Sequence, residues 1–170
     1  MRAGDHEERG LFTKVGRAAG AGVGGALAMT GLGALARAVG LPSSLELMIG
    51  SAVVGNGSAT AWAVGFVLHL ALGACFGLVY GALLDRAQQP TPEIGVSIGS
   101  IHAVLSGVAL AAVPAAHPLV PDAMAAPGMF LSNLGIAPAI FFVALHLIYG
   151  ALVGGLYGSR RFANVAAHAR

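Results

Sequence analysis

The chain has 170 residues, of which 56% are hydrophobic and only 9% are charged, and its mean hydropathy is +0.80. Soluble domains carry about 25% charged residues, so this composition predicts an integral membrane protein whose main partner is the lipid bilayer. The formal charge of +2 without a basic run argues against nucleic-acid binding, and the single cysteine, Cys75, excludes a disulfide framework.

Four apolar stretches are long enough to be membrane-spanning helices, because about 20 residues at a rise of 1.5 Å cross a hydrocarbon core of about 30 Å. In chain order they are residues 15–40, 61–84, 94–113 and 135–158. A cleaved signal peptide ending near residues 34–36 is the alternative for the first stretch. We favour a retained helix, because the apolar run exceeds the usual length of about 7–15 residues and its leader contains acidic side chains.

The basic residues predict the orientation of the helices. Lysine and arginine are missing from the connections at residues 41–60 and 114–134. Basic residues occur before or early in the first stretch, in the 85–93 loop and after the fourth stretch. They are Arg2, Arg9, Lys14, Arg17, Arg86, Arg160, Arg161 and Arg170. The positive-inside rule therefore predicts that both termini and the 85–93 loop are cytoplasmic.

The two outer connections, residues 41–60 and 114–134, contain apolar residues and are expected to form short helices that lie on the outer surface. Prolines near their beginnings, such as Pro42 and Pro114, are expected to stop the preceding helices. The acidic residues of these connections are interpreted as loop residues. Arg37 can extend outward from the first helix to pair with Glu46 or Asp122.

The second and fourth stretches carry the same pattern. His69 and His146 are each followed by leucine and then, at one constant offset, by matching residues, namely Gly73, Gly77, Tyr80 and Gly81 in one case and Gly150, Gly154, Tyr157 and Gly158 in the other. Pro42, Glu46 and Met48 likewise match Pro118, Asp122 and Met124, with an offset that is one residue shorter. Such internal similarity indicates a duplicated structural unit.

The duplication predicts an all-α fold of four transmembrane helices, arranged as two helical hairpins. Because each unit has an even number of spans, the two hairpins are expected to be parallel and related by an axis along the membrane normal. We assign repeat one to residues 15–86 and repeat two to residues 94–161. They form a single membrane domain of residues 1–170, with cytoplasmic tails at residues 1–14 and 162–170.

Small residues spaced by four recur on the predicted helices and let helix backbones approach closely. The third stretch adds Gly95, Gly99 and Gly107 to the six glycines of the two matching patterns. We favour packing within the chain. The alternative is an outward-facing ridge that joins copies into a homo-oligomer or docks a larger membrane complex.

Three histidines lie within the apolar stretches, where ionisable residues are rare and are functional candidates by default. His69 and His146 share a depth of roughly 12–14 Å from the outer helix ends, and His102 approaches the midplane from the other side. Hydrogen bonding between helices is the interpretation we favour for all three.

Three further interpretations of the histidines stay open. His69 and His146 could ligate a b-type haem, with Arg37 pairing with a propionate, although the nearby glycines draw the helices together. Together with His102 they could bind copper or zinc through three nitrogens. They could also line a proton or substrate pathway.

The two His-Leu-x-x-Gly-x-x-x-Gly helices, each ending near a Tyr-Gly pair, resemble those of small four-helix bacterial and archaeal membrane proteins. Several of these groups are known as domains of unknown function. The inner-membrane YagU-like group is also similar, through a histidine early in its returning helices. The resemblance covers the second and fourth helices, and it implies the topology without an activity or a binding residue.

The chain contains no P-loop, no Gly-x-Ser-x-Gly elbow and no His-Glu-x-x-His helix, so catalysis is not expected. We predict a non-catalytic structural or accessory protein of the bacterial cytoplasmic (inner) membrane, packed through its glycines in an oligomer or a larger complex. A bis-histidine haem or metal electron carrier and a small transporter or channel are the alternatives.

Overall fold

The computed structural model describes residues 3–42, 44–88 and 90–168, with side chains for residues 8, 10–42, 44–88 and 90–159. Within these ranges the regular secondary structure is entirely helical. The α-helices in chain order are α1 (Ala3–Ala38), α2 (Leu45–Val54), α3 (Ala59–Ala87), α4 (Pro92–Ala109), α5 (Val113–Ala116) and α6 (Ile136–His168), and short 3-10 segments cover Leu110–Ala112 and Met129–Leu134.

Four helical segments are long and apolar enough to cross a membrane, namely Gly10–Ala38, Ala59–Ala87, Pro92–Ala116 and Ile136–Ser159. They confirm the four spans expected from the sequence and indicate a multi-pass membrane protein. The third span is longer than predicted. Pro114 does not end it, because α4 already ends at Ala109 and Pro114 lies in the first turn of α5, where the missing N–H of proline is tolerated.

Hydroxyl side chains set the beginnings of three helices. Ser44, Ser58 and Thr91 precede α2, α3 and α4, and each side-chain oxygen accepts a hydrogen bond from a backbone N–H in the first turn. These caps satisfy N–H groups that have no partner within the helix. At the other end of α2, Gly55 adopts φ 79°, a left-handed conformation that stops the helix at Val54.

The glycines bring the backbones of the long helices into direct contact in two places. On α1, Gly22 lies so close to α3 that a Cβ there would overlap the Gly73 carbonyl oxygen, and Gly77 lies equally close to Ala18. Between α4 and α6, Gly95 faces Gly150 and Gly154, while Gly99 faces the His146 carbonyl. In each pair the contacts run in opposite directions along the two helices.

The remaining predicted glycines also face neighbours within the chain. Gly81 packs against Ala18, Gly158 lies against the backbone of Pro90, and Gly107 faces the ring of Phe130. Each of the nine glycines singled out from the sequence therefore meets another element of the same chain.

Helices α1 and α6 join the two pairs, because α1 packs against both α3 and α6 while α4 packs mainly against α6. Contact between α3 and α4 is limited. A cluster of buried side chains fills the interior of the bundle, and its members are Ala18, Ala21, Met29, Tyr80, Leu84, Tyr149, Val153 and Tyr157.

The expectation for the outer connections is only partly correct. Residues 45–54 do form a helix, but α2 folds lengthwise against the first turns of α3 instead of lying separately on the surface. A Cβ at Gly50 would overlap the Ala61 carbonyl, and one at Gly65 would overlap the Glu46 carbonyl. Gly65 lies six residues into α3, so the first turn of α2 reaches about 9 Å along that apolar helix.

Candidate functional site

A cavity of about 190 Å³ lies at the end of the bundle that carries α2 and the connection after α5, and we call it the loop-end cavity. It lies between α1, α2, α3, α6 and that connection. Its ionisable lining comes from Arg37, Glu46, His69 and His146, and much of the remainder is formed by methionine, leucine and phenylalanine side chains. Two of the predicted histidines and the predicted charge partner therefore meet in one space.

The Glu46 carboxylate lies inside the protein, where it is paired with Arg37. The Arg37 Nη1 and Glu46 Oε2 atoms are 3.6 Å apart, and the Ser44 hydroxyl donates a hydrogen bond of 3.2 Å to the same carboxylate oxygen. Glu46 occupies the first turn of α2 and Arg37 the last turn of α1, so each charge also interacts favourably with its helix dipole.

Interpreting Glu46 as an ordinary loop residue was wrong. Its residue exposure is only 3%, because α2 packs so closely on α3 that the first turn of α2 is enclosed. Of the two ion pairs that the sequence predicted for Arg37, the structure contains the one with Glu46. The Arg37 side chain is 30% exposed and that of Glu46 only 4%, so the ion pair reaches solvent through Arg37.

His69 and His146 line the cavity and are each only 6% exposed. The Nδ1 atom of His146 lies 2.8 Å from the Phe142 carbonyl oxygen, one turn earlier on the same helix. Since a carbonyl can only accept, Nδ1 carries the proton and Nε2 presents a lone pair. The His69 ring lies beside the backbone of Ala26 on the neighbouring helix α1.

His102 lies beside the cavity and does not line it. Its ring centroid is 4.8 Å from that of His146 in an edge-on contact, and its Nδ1 atom lies 3.2 Å from the Tyr80 hydroxyl. The Tyr149 hydroxyl donates a 2.7 Å hydrogen bond to the Gly73 carbonyl. These buried rings continue from the cavity toward the terminal end, where the Arg17 guanidinium lies 4.8 Å from the Tyr157 ring centroid.

The geometry does not suit the three-nitrogen metal site or the haem considered from the sequence. Among the described residues, no three His, Cys, Asp or Glu side chains are grouped to hold a metal ion. Pockets for drug-sized ligands have volumes of about 300–1,000 Å³, whereas this cavity measures about 190 Å³. A porphyrin would therefore require the helices to separate, and Arg37 already pairs with Glu46.

Sequence analysis missed a second polar cluster, centred on His117, that borders the cavity. The Leu119 N–H donates to His117 Nδ1 at 3.1 Å, so the proton lies on Nε2, which is 2.9 Å from the Met48 carbonyl. Ser51 lies 3.2 Å from the same ring nitrogen and 3.3 Å from the Met124 sulfur. A lone histidine in an apolar connection without lysine or arginine was the available signal.

Replacing His117 by alanine should destabilise the protein by about 1–3 kcal/mol, because the Met48 carbonyl and the Leu119 N–H lose their buried partner. Unfolding of the purified protein in mixed detergent micelles, followed by circular dichroism, measures this change. Ser100→Ala is the matched control, since that exposed hydroxyl bonds only to the Val96 carbonyl of its own helix. Equal stability of the two variants would contradict a bracing role for His117.

Comparisons with protein-family models, with curated proteins and with solved structures found no match to this chain. The similarity of the two histidine–glycine helices to small four-helix membrane proteins, including the YagU-like group, therefore stays a prediction. The loop-end cavity and its four ionisable side chains are the basis for assigning a function.

Proposed function

We propose that this chain is a small membrane transport protein and that the loop-end cavity is where a small solute binds. The observation that carries the proposal is an ion pair and two imidazoles around one cavity, within a bundle of membrane-length apolar helices. Ionisable groups are costly inside hydrocarbon. Where they occur there, they usually line the path of a substrate or an ion.

The two ends of the bundle differ in a way that suits alternating access. The cavity approaches the surface near Arg37, while the terminal half is closed by fully buried side chains that include Leu84 and Val153. We infer that the closed end opens when the α1–α3 pair moves against the α4–α6 pair. Contact between α3 and α4 is limited, and Phe76 and Tyr80 contact His102 there. Few contacts would have to break for these two helices to separate.

We infer further that the protein lies in the bacterial cytoplasmic membrane with both termini in the cytoplasm, so that the cavity opens outward. Lys14, Arg17 and Arg86 lie near the helix ends opposite the cavity, as the positive-inside rule requires. Two parallel hairpin repeats, residues 15–86 and 94–161, are supported by the similar glycine contacts in the α1–α3 and α4–α6 pairs. Rocking of such repeats around a central site is a common transport movement.

A structural or accessory role in a homo-oligomer or larger complex has less support. That hypothesis depended on glycine ridges available to a partner, and Gly73, Gly77, Gly150 and Gly154 all contact helices of the same chain. Their packing accounts for the glycines without a second protein. The two buried imidazoles of the cavity are not explained by this glycine packing.

Cysteine labelling tests the proposal without knowledge of the solute. In a Cys75→Ser background, Leu145→Cys places a thiol in the cavity and Ile140→Cys places one on the exposed face of the same helix, nearer its beginning. A membrane-impermeant thiol reagent applied from outside should label Leu145→Cys at least about tenfold faster than Ile140→Cys. Only the thiolate reacts, and the apolar surroundings of the exposed helix face suppress its formation at Ile140→Cys.

Access from the second side tests transport itself. Leu145→Cys should also be labelled, more slowly, in inside-out vesicles, because a transporter visits a state that is open to the cytoplasm. Labelling of Ile140→Cys at the same rate from outside would contradict a water-filled cavity. Labelling of Leu145→Cys from the outer side alone, under all conditions, would overturn the transport proposal.

A further inference from the structure

We infer that the loop-end cavity takes a soft monovalent metal cation, with copper(I) as the expected ion. Its ligands are the imidazoles of His69 and His146 and thioether sulfurs from Met29, Met48 and Met124, all of which line the cavity. This inference rests on the proposed function, because it names the solute class of the same site.

One of the two imidazoles has the hydrogen bond that metal-ligating histidines usually have. Such a histidine almost always donates its other ring N–H to a carbonyl or carboxylate, which fixes the tautomer and aims the free lone pair. His146 donates from Nδ1 to the Phe142 carbonyl at 2.8 Å, so its Nε2 atom can bind a cation. His69, the second imidazole of the cavity, lies beside the backbone of Ala26.

Methionine is concentrated at this cavity. The chain has five methionines, and three of them line the cavity from three different elements, with Met29 on α1, Met48 on α2 and Met124 in the connection after α5. Thioether sulfur is a soft, uncharged ligand that favours Cu(I) among the metals common in proteins. Cys75 lies elsewhere on the exposed surface of α3, so the thioethers are the only sulfur among the cavity residues.

Hydrogen bonds around His117 hold the two segments that carry Met48 and Met124. His117 Nε2 lies 2.9 Å from the Met48 backbone carbonyl, and the Ser51 hydroxyl donates a hydrogen bond of 3.3 Å to the Met124 sulfur, which keeps its second lone pair. The polar cluster around His117 thus positions both α2 and the second connection beside the cavity.

The sequence repeat supports the same choice of ligands. His69 matches His146 and Met48 matches Met124 in the two halves of the chain, and all four line the one cavity. The site is therefore built from two equivalent pairs, with Met29 added from α1. The nearby Glu46 carboxylate is paired with Arg37, so this ion pair adds no net charge beside the site.

The set of ligands separates copper(I) from zinc(II). Zinc prefers thiolate, imidazole or carboxylate ligands in a tetrahedral arrangement, and thioethers contribute little to its binding. Neutral nitrogen and sulfur ligands together suit a soft cation of low charge. A cavity of about 190 Å³ readily holds one such ion.

The test measures metal binding by the full chain, purified in mild detergent under anaerobic conditions. Copper(I) is offered in competition with a chromogenic copper(I) chelator, and the bound metal is counted by atomic absorption. We expect near-stoichiometric copper(I) binding, no comparable zinc(II) binding, and sulfur scatterers around the copper in X-ray absorption spectra.

Matched methionine variants make the result specific. Met29→Leu/Met48→Leu/Met124→Leu removes the sulfurs at nearly constant volume, so the fold should be retained. The affinity for copper(I) should fall by about 10–100-fold or more. Loss of a group that only supports a metal ligand already has an effect of this size. Met129→Leu is the control, because Met129 is exposed and does not line the cavity.

Two results would overturn the inference. One is the failure of the native chain to bind copper(I), and the other is an unchanged copper(I) affinity in the triple methionine variant. Either of them, combined with fast labelling of Leu145→Cys from both sides, would leave a transporter with a different solute. Failure of that labelling would instead remove the transport proposal itself.

Discussion

Replacing Gly22 by alanine should destabilise the protein strongly, whereas the same change at Gly20, half a turn away on α1, should not. A Cβ at Gly22 would overlap the Gly73 carbonyl oxygen and lie 2.8 Å from the Gly77 Cα atom. Both obstacles are backbone atoms, so a side-chain rotation cannot relieve the overlap and α1 must move away from α3.

We expect Gly22→Ala to lower the free energy of unfolding by about 3 kcal/mol or more. This loss is at or above the upper end of the range for substitutions that overpack a core. At Gly20 a Cβ meets no atom within 4 Å. Gly20→Ala should therefore be neutral, or stabilising by up to about 1 kcal/mol, because alanine favours the helix over glycine. Detergent-micelle unfolding of both variants, followed by circular dichroism, measures the difference.

The comparison bears on the cavity as well as on stability. Ala26, one turn beyond Gly22, lies beside the His69 ring on α3. Moving α1 outward would therefore displace that imidazole and reduce copper(I) binding even where the bundle still folds. Similar unfolding of the Gly20 and Gly22 variants would show that the α1–α3 contact is not the close backbone contact described here.

The sequence alone predicted the helices that can cross a membrane, because hydropathy and length decide that property locally. The four apolar stretches reappear as four long helices with somewhat different ends. The pattern of small residues also indicated which face of each helix permits close approach. It could not identify the facing helix, since Gly22 and Gly73 belong to separate stretches whose meeting depends on the whole bundle.

Only part of the candidate site could be predicted from the sequence, for a related reason. His69, His146 and Arg37 were recognised because ionisable residues are unusual in apolar segments. The burial of Glu46 depends on Gly50 and Gly65, which belong to two different helices and let α2 dock on α3. Likewise, the environment of His117 is created by Met48 and Ser51, distant in the chain. Contacts between distant segments leave little signal in one sequence.

Removing Arg37 should destabilise the protein far more than removing its partner. The Arg37→Met variant leaves the Glu46 carboxylate, whose side chain is only 4% exposed, without its guanidinium. Breaking a buried pair in this way costs about 3–5 kcal/mol. In Glu46→Gln the charge that loses its carboxylate is Arg37, which is 30% exposed and can extend its charged group to water. We expect that variant to lose about 1–2 kcal/mol, as for a lost buried hydrogen bond.

The exposed ion pair at the opposite end of the bundle provides the matched control. Lys14 and Asp85 are 3.9 Å apart with side chains that are 62% and 36% exposed, so Lys14→Met should cost less than about 1 kcal/mol. The double variant Arg37→Met/Glu46→Gln should be more stable than Arg37→Met alone, because no buried charge then lacks a partner. Equal losses for Arg37→Met and Lys14→Met in micelle unfolding would contradict the buried position of Glu46, and with it the polar character of the loop-end cavity.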